Sequence, residues 1–417
     1  MTRILVLTNL YPPHAFGGYE WSCFDVMTRL EARGHDITVV TTSTHLPDLA
    51  DGHDEAGRVH RILEWYWDDH VLVSPRPWSR LALERRNQRR LRNLLARARP
   101  EVVSVWNMGA MSQGLLRTVA DQGLPMVFAV CDEWPVYGRH LDAWSRMFAA
   151  RPRLARLTEL LARVPCGPGD LGPCGPWCFV SEHTRRACRV GSPFTFPLST
   201  VVHSGIEPTH FPLFDESAEP NPFEWRLLYV GRLDVRKGVL TAVDALAHLP
   251  PQTTLRCVGR GDAECSIWQR AGDLGVADRV TIEAVDRSAV AAAYRAADVF
   301  LFTSEWDEPF GLTPIEAMAC GAPVVGTGTG GSDGFLVDGL DCLRYLPGDA
   351  RGLAHAVCRL ADDPTLRSRV RSGGRRVAAE LTTDRLADVF EAWHVGAASG
   401  FADGPPADRP LLSRPVA

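Results

Sequence analysis

A strand, a glycine-containing loop, a helix and a second strand follow one another at the start of the chain. The apolar run at residues 3–8 leads into a loop at 9–18, a helix begins near Tyr19, and a second apolar run spans 36–42. Units of this kind build parallel sheets covered by helices, because parallel strands need a crossover connection between them. The pattern therefore predicts an α/β fold with a doubly wound parallel sheet.

The same pattern continues in two blocks. The apolar runs of the first block lie at 101–106, 125–130, 177–180 and 199–203, and those of the second at 227–230, 254–258, 280–283, 298–302 and 323–326. A length of 417 residues suffices for two domains with separate cores. We predict two Rossmann-like doubly wound domains that face each other across a ligand-binding cleft. Their predicted bounds are 1–207 and 226–382, with a linker at 208–225, a further helix at 383–396 and a disordered tail at 397–417.

Composition excludes several classes of function. The net charge is −5 and the sequence pI is about 6.2, so no overall field recruits nucleic acid. The first apolar run is too short for a signal peptide, and no stretch reaches the ~18 apolar residues of a membrane span. We expect a cytoplasmic protein that binds no nucleic acid.

The eleven cysteines are typical of buried thiols rather than of a disulfide framework. Four of them, Cys166, Cys174, Cys178 and Cys188, crowd one segment rich in Gly and Pro. The spacing of Cys174 and Cys178 fits a metal knuckle, but the outer spacings match no zinc template. Reduced loop thiols are the favoured interpretation, and structural zinc is the alternative.

The segment at 308–316, Glu-Pro-Phe-Gly-Leu-Thr-Pro-Ile-Glu, follows a predicted strand and begins a helix. A helix start entered through Gly311 and Thr313 offers backbone N–H groups and a dipole that bind phosphate. The carboxylate of Glu316 would repel a phosphate bound at this helix start. It therefore needs a neutral partner, and a ribose diol is one. Glu308, before the turn, would face sugar hydroxyls. The alternative is an ordinary loop glutamate and an ordinary capping glutamate.

Two further loops carry candidate binding residues. The segment at 230–238, Val-Gly-Arg-Leu-Asp-Val-Arg-Lys-Gly, holds Arg232 and Lys237, two cations suited to a diphosphate. Lys237 is the only lysine beside 44 arginines, which weakens the alternative of a solvated basic turn. In the first block, Gly17 and Gly18 let the backbone approach a ligand closely.

Together these segments resemble one family, the retaining glycosyltransferases of family 4, which have the two-domain GT-B architecture. The resemblance covers the chain to about Trp393. It rests on a Glu-x7-Glu signature, a Gly-Arg-x4-Lys-Gly pair, a Gly-Gly-x-Glu loop and a nucleotide-side Val-Gly-Arg-Gly loop. In this sequence these are Glu308 to Glu316, Arg232 with Lys237, Gly17 to Glu20, and Val258 to Gly261.

The resemblance implies a role for each matching residue. Arg232 and Lys237 would neutralise the donor diphosphate, and Glu316 would hold the ribose. Glu308, with the backbone N–H groups of Phe310 and Gly311, would hold the donor sugar hydroxyls. Leu312 and Thr313 would give backbone N–H groups to phosphate, Gly17 and Gly18 would close over it from the other domain, and Gly259 and Gly261 would belong to the nucleotide-side loop. The family needs no metal or other cofactor, and the chain contains no Asp-x-Asp motif. A last helix, near 383–393, would return to the first domain.

One departure from the family concerns the donor sugar. Where the family usually has His-Asp after a first-domain strand, this chain has Cys131-Asp132. Asp132 is retained among the catalytic candidates, whereas Cys131 removes an imidazole that commonly contacts the sugar. We therefore expect a donor other than a plain 6-hydroxy hexose.

Several alternatives remain at the level of the sequence. A sugar-nucleotide epimerase, a phosphorylase or a non-catalytic nucleotide-sugar-binding protein would share the fold. The basic stretch at 85–99 predicts a helix with one cationic face, which is either a solvated outer helix or a weak contact with a membrane surface. The acceptor is unknown, and a polysaccharide, a glycolipid or a natural product would each suit the aromatic loops of the first block.

Overall fold

The computed structural model describes residues 1–46, 57–68, 71–217, 222–402 and 404–406. The chain divides into two compact units. The first unit comprises Met1–His203 together with the described residues from Leu386 to Pro406, and the second unit comprises Ser204–Arg385. Each unit has its own parallel sheet and its own core.

The first unit contains a seven-stranded parallel sheet and a separate two-stranded antiparallel ribbon. Its strands are β1 (Arg3–Leu7), β2 (Asp36–Thr42), β3 (Val59–Leu63), β4 (Trp67–Asp68), β5 (Val71–Leu72), β6 (Val102–Val105), β7 (Met126–Val130), β8 (Trp177–Phe179) and β9 (Ser199–Val201). Its helices before the second unit are α1 (Gly18–Ala32), α2 (Pro77–Ala98), α3 (Gly114–Ala120), α4 (Trp134–Leu141), α5 (Pro152–Ala162) and α6 (Glu182–Gly191). The order in the large sheet is β3-β2-β1-β6-β7-β8-β9, so the direction of winding reverses between β1 and β6.

The second unit contains a six-stranded parallel sheet in the order β12-β11-β10-β13-β14-β15. Its strands are β10 (Arg226–Val230), β11 (Thr254–Val258), β12 (Val280–Glu283), β13 (Val299–Phe302), β14 (Val324–Gly326) and β15 (Leu343–Arg344). The helices from there on are α7 (Val239–Ala245), α8 (Glu264–Asp273), α9 (Arg287–Ala296), α10 (Thr313–Ala319), α11 (Ala350–Asp362), α12 (Pro364–Glu380) and α13 (Thr383–Ala398). Here the winding reverses between β10 and β13. Both sheets therefore have the doubly wound α/β arrangement that the sequence predicts.

Helices cover both faces of the first sheet, which is why its strands are nearly continuous apolar runs. In β1, Leu5 and Leu7 belong to one core cluster, whereas Ile4 and Val6 belong to the cluster on the opposite face. The latter cluster also contains residues of α1 and, from the far end of the chain, of α13. The last helix is thus part of the first unit's core.

The eleven predicted strands are all present, with ends shifted by at most two residues. Three short elements were not predicted: β3, β15 and the β4–β5 ribbon. In β3, His60 and Arg61 interrupt the apolar pattern, and this strand lies at the edge of its sheet, where alternation of polar and apolar residues is weak. An edge strand with polar side chains lacks the apolar run by which a strand is recognised in the sequence, so such strands are missed.

The predicted linker and tail are partly built into the fold. Phe214 lies inside the predicted linker at 208–225. The guanidinium carbon of Arg371, in the second unit, lies 4.7 Å from the centroid of the Phe214 ring. At the other end, α13 runs to Ala398, and the ring of Phe401 packs edge-on against Trp393. The prediction of a disordered tail is therefore wrong for residues 397–401, because apolar side chains in this stretch pack against the core of the first unit.

The four crowded cysteines do not form one site. Cys178 lies in β8 and faces the α1 side of the sheet, whereas Cys188 lies on α6 and belongs to the opposite core cluster. Cys166 belongs to a third, smaller cluster around Trp144. All eleven cysteines are free thiols, but Cys178 and Cys188 lie in a strand and a helix rather than in loops.

The structure also bears on membrane insertion. Within the residues described above, none of the helices combines the length and the apolar character that crossing a bilayer requires.

We expect Trp177→Ala to lower the free energy of unfolding by about 3–5 kcal/mol, because it leaves a cavity in a packed core. Trp177 is fully buried, and its ring stacks on Phe128 with centroids 3.8 Å apart. Urea denaturation followed by far-UV circular dichroism measures the loss. The matched control is Trp78→Ala, since Trp78 is 82% exposed. Equal losses in both variants would contradict this account of the core.

Candidate active site

In the second unit, the candidate residues lie on the loops that follow two neighbouring strands. Arg232 and Lys237 follow β10, and Glu308 follows β13. These strands are adjacent at the point where the winding reverses. Loops diverge above and below the sheet at such a point and leave a crevice at the carboxyl ends of the strands, where ligands bind in doubly wound sheets.

Lys237 and Glu308 form an ion pair with each other. The Lys237 Nζ lies 2.5 Å from Glu308 Oε1, and the hydroxyl of Ser304 donates to the same oxygen at 2.9 Å. Glu308 is only 6% exposed, so its carboxylate requires these partners. The ring of Trp306 lies 5.1 Å from Lys237 Nζ, a cation–π distance. The ammonium is therefore held between a carboxylate and an aromatic ring.

Arg232 presents a second cation on the same loop. Its neighbour Arg236 pairs with Asp234 at 2.7 Å, and that hydrogen-bonded guanidinium lowers the pKa of Asp234 to about 2. Arg232 is exposed and forms no ion pair with any residue that the structure describes. Its backbone carbonyl accepts a hydrogen bond of 2.7 Å from the Tyr229 hydroxyl, which fixes the loop. Arg232 is thus available to an anionic ligand.

Glu316 lies in the first turn of α10, with one oxygen occupied. The buried Tyr294 hydroxyl donates to Glu316 Oε2 at 2.8 Å. Burial raises the pKa of Glu316, although the bond from Tyr294 and the charge of Arg287 oppose the shift. Within the described chain, Oε1 accepts no hydrogen bond and remains for a ligand.

The turn before α10 contains the other candidates of this segment. Leu312 is the cap residue of α10 and Thr313 is its first residue. Pro314 has no N–H, and the N–H groups of Ile315 and Glu316 donate to the Leu312 carbonyl, so the N–H groups of Leu312 and Thr313 are the ones with no acceptor within the helix. The ring of Phe310 is buried and packs on Phe335 at 5.0 Å. Its side chain is therefore structural, and only its backbone and that of Gly311 are candidates for ligand contact.

Gly259 and Gly261 have a structural reason to be glycine. Both have positive φ, at 151° and 158°. A Cβ on Gly259 would lie 1.9 Å from the carbonyl oxygen of Gly231, and one on Gly261 would lie 2.2 Å from that of Leu233. The loops after β10 and β11 thus pack backbone against backbone. This contact explains both glycines without a ligand, and their predicted role toward a donor remains a prediction.

In the first unit, the Gly17-Gly18 loop follows β1 and caps α1. The Gly17 N–H donates to Glu20 Oε2 at 3.0 Å. A Cβ on Gly17 would meet no atom within 4 Å, so this face of the loop is open to a ligand. Glu20 is buried, and its pKa is raised by burial and, to a smaller extent, by the charge of Asp132.

Asp132 lies where β7 ends, near this loop. One of its oxygens accepts from the Trp134 N–H at 2.9 Å and the other from the Tyr137 hydroxyl at 2.7 Å. Burial nevertheless raises the pKa of Asp132 to about 6. The preceding residue, Cys131, is a partly buried thiol.

The structure thus places the predicted residues in two groups, one in each unit. Sequence reasoning missed the side chains that hold them: Ser304, Trp306, Tyr294 and Tyr137. Ser304 and Trp306 lie just after a predicted strand, a position that could have indicated them. In the described part of the chain, no three His, Cys, Asp or Glu side chains are grouped to hold a metal ion.

Comparisons with known proteins agree with this arrangement. The family described as Glycosyltransferase Family 4 matches residues 16–166, and the family described as Glycosyl transferases group 1 matches residues 213–377. The glycogen synthase of Mycobacterium tuberculosis is 27% identical over 420 residues, with 95% of each chain covered.

Solved structures extend the likeness to the fold. The sucrose-phosphate synthase from Thermosynechococcus elongatus has a TM-score of 0.70 and 21% identity, covering 96% of this chain and 100% of its own. HepE from Anabaena, solved in complex with UDP-glucose, has a TM-score of 0.64 and 19% identity, covering 97% and 100%. With one family matched in each unit and this fold, the chain belongs to the family 4 (group 1) glycosyltransferases of the GT-B type.

Proposed function

We propose that the protein transfers a sugar from a nucleotide-diphosphate donor to an acceptor hydroxyl, with retention at the anomeric carbon. The observation that carries this proposal is the group formed by Arg232, Lys237 and Glu308 at the reversal point of the second sheet. It combines cations for a diphosphate with a carboxylate for sugar hydroxyls. The binding of UDP-glucose by the structurally similar HepE supports a nucleotide-sugar donor.

In this proposal the donor diphosphate replaces Glu308 as the partner of Lys237. The exposed Arg232 reaches the diphosphate directly, whereas Lys237 exchanges one anion for another. The released Glu308 then accepts hydrogen bonds from sugar hydroxyls while Ser304 continues to hold its Oε1. In the free protein, the ion pair therefore gives the Lys237 ammonium and the Glu308 carboxylate a partner and holds both close to the positions in which they would bind the donor.

The other end of the donor would lie against α10. Glu316, with Tyr294 on one oxygen, offers its second oxygen to a ribose hydroxyl. Backbone N–H groups near Leu312 and Thr313 would bind a phosphate oxygen. Gly17 and Gly18 of the first unit are proposed as a further phosphate contact, because a Cβ on Gly17 would meet no atom within 4 Å.

The same cations would assist the chemistry. As the bond between the anomeric carbon and the diphosphate breaks, negative charge grows on the leaving group, and Arg232 and Lys237 stabilise it. With no nucleophilic side chain assigned, we propose attack of the acceptor from the face that the diphosphate leaves, with the leaving phosphate taking the acceptor proton. This arrangement needs neither a metal nor an organic cofactor.

A non-catalytic nucleotide-sugar-binding protein is the second candidate, and Cys131 is the observation that favours it, since a family-typical imidazole is replaced there by a thiol. Release of free sugar or transfer to any acceptor, seen by chromatography of a radiolabelled donor, separates the two.

For the compartment we propose the cytoplasm, because eleven free thiols suit a reducing environment.

We predict that Lys237→Ala and Glu316→Ala each weaken binding of UDP, or of whichever nucleoside diphosphate binds best. Each variant removes a charged hydrogen bond, so a loss of ~1.5–3 kcal/mol, or roughly 10- to 150-fold, is expected. Calorimetric titration measures the affinity. The control is Arg270→Ala, which removes an exposed cation paired with Asp244 on another part of the unit. Wild-type affinity in either test variant would overturn the placement of the nucleotide.

Activity is expected to survive EDTA, because Arg232 and Lys237 provide the positive charge that a metal would otherwise provide. Transfer from the preferred donor is measured before and after chelation, and again after addition of Mg²⁺ or Mn²⁺. A loss on chelation that a divalent ion restores would contradict the proposal and point to Asp132 and Glu133 as ligands.

Replacement of Cys131 by His tests the donor sugar. A thiol is a poor hydrogen-bond donor, so a 6-hydroxyl relying on an imidazole would lose its contact here, whereas a 6-deoxyhexose or a pentose would lose nothing. We expect Cys131→His to raise kcat/KM for UDP-glucose or GDP-mannose without improving the natural donor. Cys265→His, at an exposed thiol on α8, is the control. A wild-type enzyme that already prefers a 6-hydroxy hexose would contradict this, and another group such as His140 would then supply the contact.

A further inference from the structure

Helix α5 in the first unit is turned with its large apolar side chains outward. Leu154, Leu157, Leu160 and Leu161 are 44%, 52%, 76% and 72% exposed. None of the eleven residues of α5 is buried. Leucines at this density normally face a core, since burial of each side chain is worth ~1.5–3 kcal/mol. A helix that presents them to water instead marks a surface with a partner.

The inner side of α5 is made of small residues. Ala155 and Ala162 pack against a core cluster that contains Tyr66, Trp144 and Phe148. These alanines are seven residues apart and therefore lie on one face, two turns apart along the helix. The protein body thus holds α5 by its alanines and leaves the leucines on the other side.

The charged side chains of α5 are mostly basic. The only acidic residue between 151 and 163 is Glu159, an exposed residue whose carboxylate accepts a hydrogen bond of 2.9 Å from the Cys166 N–H. Arg153 and Arg156 lie on the helix among the leucines, both exposed. Arg151 and Arg163 lie at its two ends. The surface formed by these arginines and the four leucines is called here the α5 face.

The first unit also has exposed apolar side chains outside α5. The strand β5 and the start of α2 carry Val71, Leu72 and Trp78, exposed by 65%, 41% and 82%. This part of the chain connects to the same core cluster, because the Val73 N–H donates to the Tyr66 carbonyl at 3.0 Å.

Leucines beside arginines, with a single carboxylate that already accepts a backbone hydrogen bond, match one kind of partner. An amphipathic helix with this composition lies in the plane of an anionic membrane, its leucines among the acyl chains and its arginines at the headgroups. A second copy of the chain fits less well, because a twofold axis through α5 would bring the arginines of both copies together. We propose that the α5 face binds an anionic lipid surface.

The cationic side of α2 is a poorer candidate for the same contact. Two of its arginines, Arg86 and Arg90, are already paired with Glu64. Arg85 and Arg89 are exposed on this helix and are not accompanied by outward leucines, since Leu91, Leu94 and Leu95 are buried. These two residues provide a control of equal charge.

The test is co-sedimentation of the full-length protein with vesicles of phosphatidylcholine alone or mixed with phosphatidylglycerol. Binding is expected only to the anionic vesicles and is expected to weaken at high salt. Leu160→Glu with Leu161→Glu, and separately Arg153→Glu with Arg156→Glu, should each lower the partition coefficient about tenfold or more. The control, Arg85→Glu with Arg89→Glu, should bind as the wild type does. Circular dichroism verifies that each variant is folded.

Three outcomes would overturn the proposal. One is equal binding of the wild type and the leucine variant to anionic vesicles. Another is loss of binding in the α2 control with retention in both α5 variants, which would assign the contact to α2. The last is a wild-type dimer in light scattering that the leucine variant dissociates, without vesicle binding, which would make a second copy the partner. None of these outcomes depends on the proposed donor chemistry.

Discussion

The ion pair between Lys237 and Glu308 is the interaction on which the candidate site of the second unit depends. A carboxylate as buried as that of Glu308 is costly unless it has a charged or hydrogen-bonding partner. The two residues are 71 positions apart and meet only because β10 and β13 are neighbours at the reversal point of the sheet. Topology thus creates the pair, and the pair in turn holds the loops that a diphosphate and a sugar would need.

The two units provide opposite electrostatics. In the second unit an exposed Arg232 and a restrained Lys237 favour an anion. In the first unit the loops after β1 and β7 bring together Glu20 and Asp132, whose pKa values are both raised by burial. Carboxyl groups of this kind suit hydroxyl partners rather than phosphates.

The sequence predicts both sheets well because their strands are buried on both faces and appear as uninterrupted apolar runs. It also singles out Glu308 and Lys237 as candidates, since a motif fixes residue types at a set spacing. It does not reveal that these two side chains pair with each other, or that Ser304 and Tyr294 each occupy one oxygen of a glutamate. Such contacts depend on rotamers and on strand neighbours distant in the chain, which no local pattern contains.

Helix α5 shows the same limit in another form. Its leucines recur at helical spacing, a pattern that ordinarily indicates a core-facing side. The periodicity specifies that the leucines share a face but not which way that face points. Here alanines with small side chains allow the helix to lie close to the protein body, and Glu159 accepts a hydrogen bond from the Cys166 N–H in the segment that follows α5. The orientation of α5 therefore follows from how its small and acidic residues are satisfied, and the exposed leucines are a consequence of that choice.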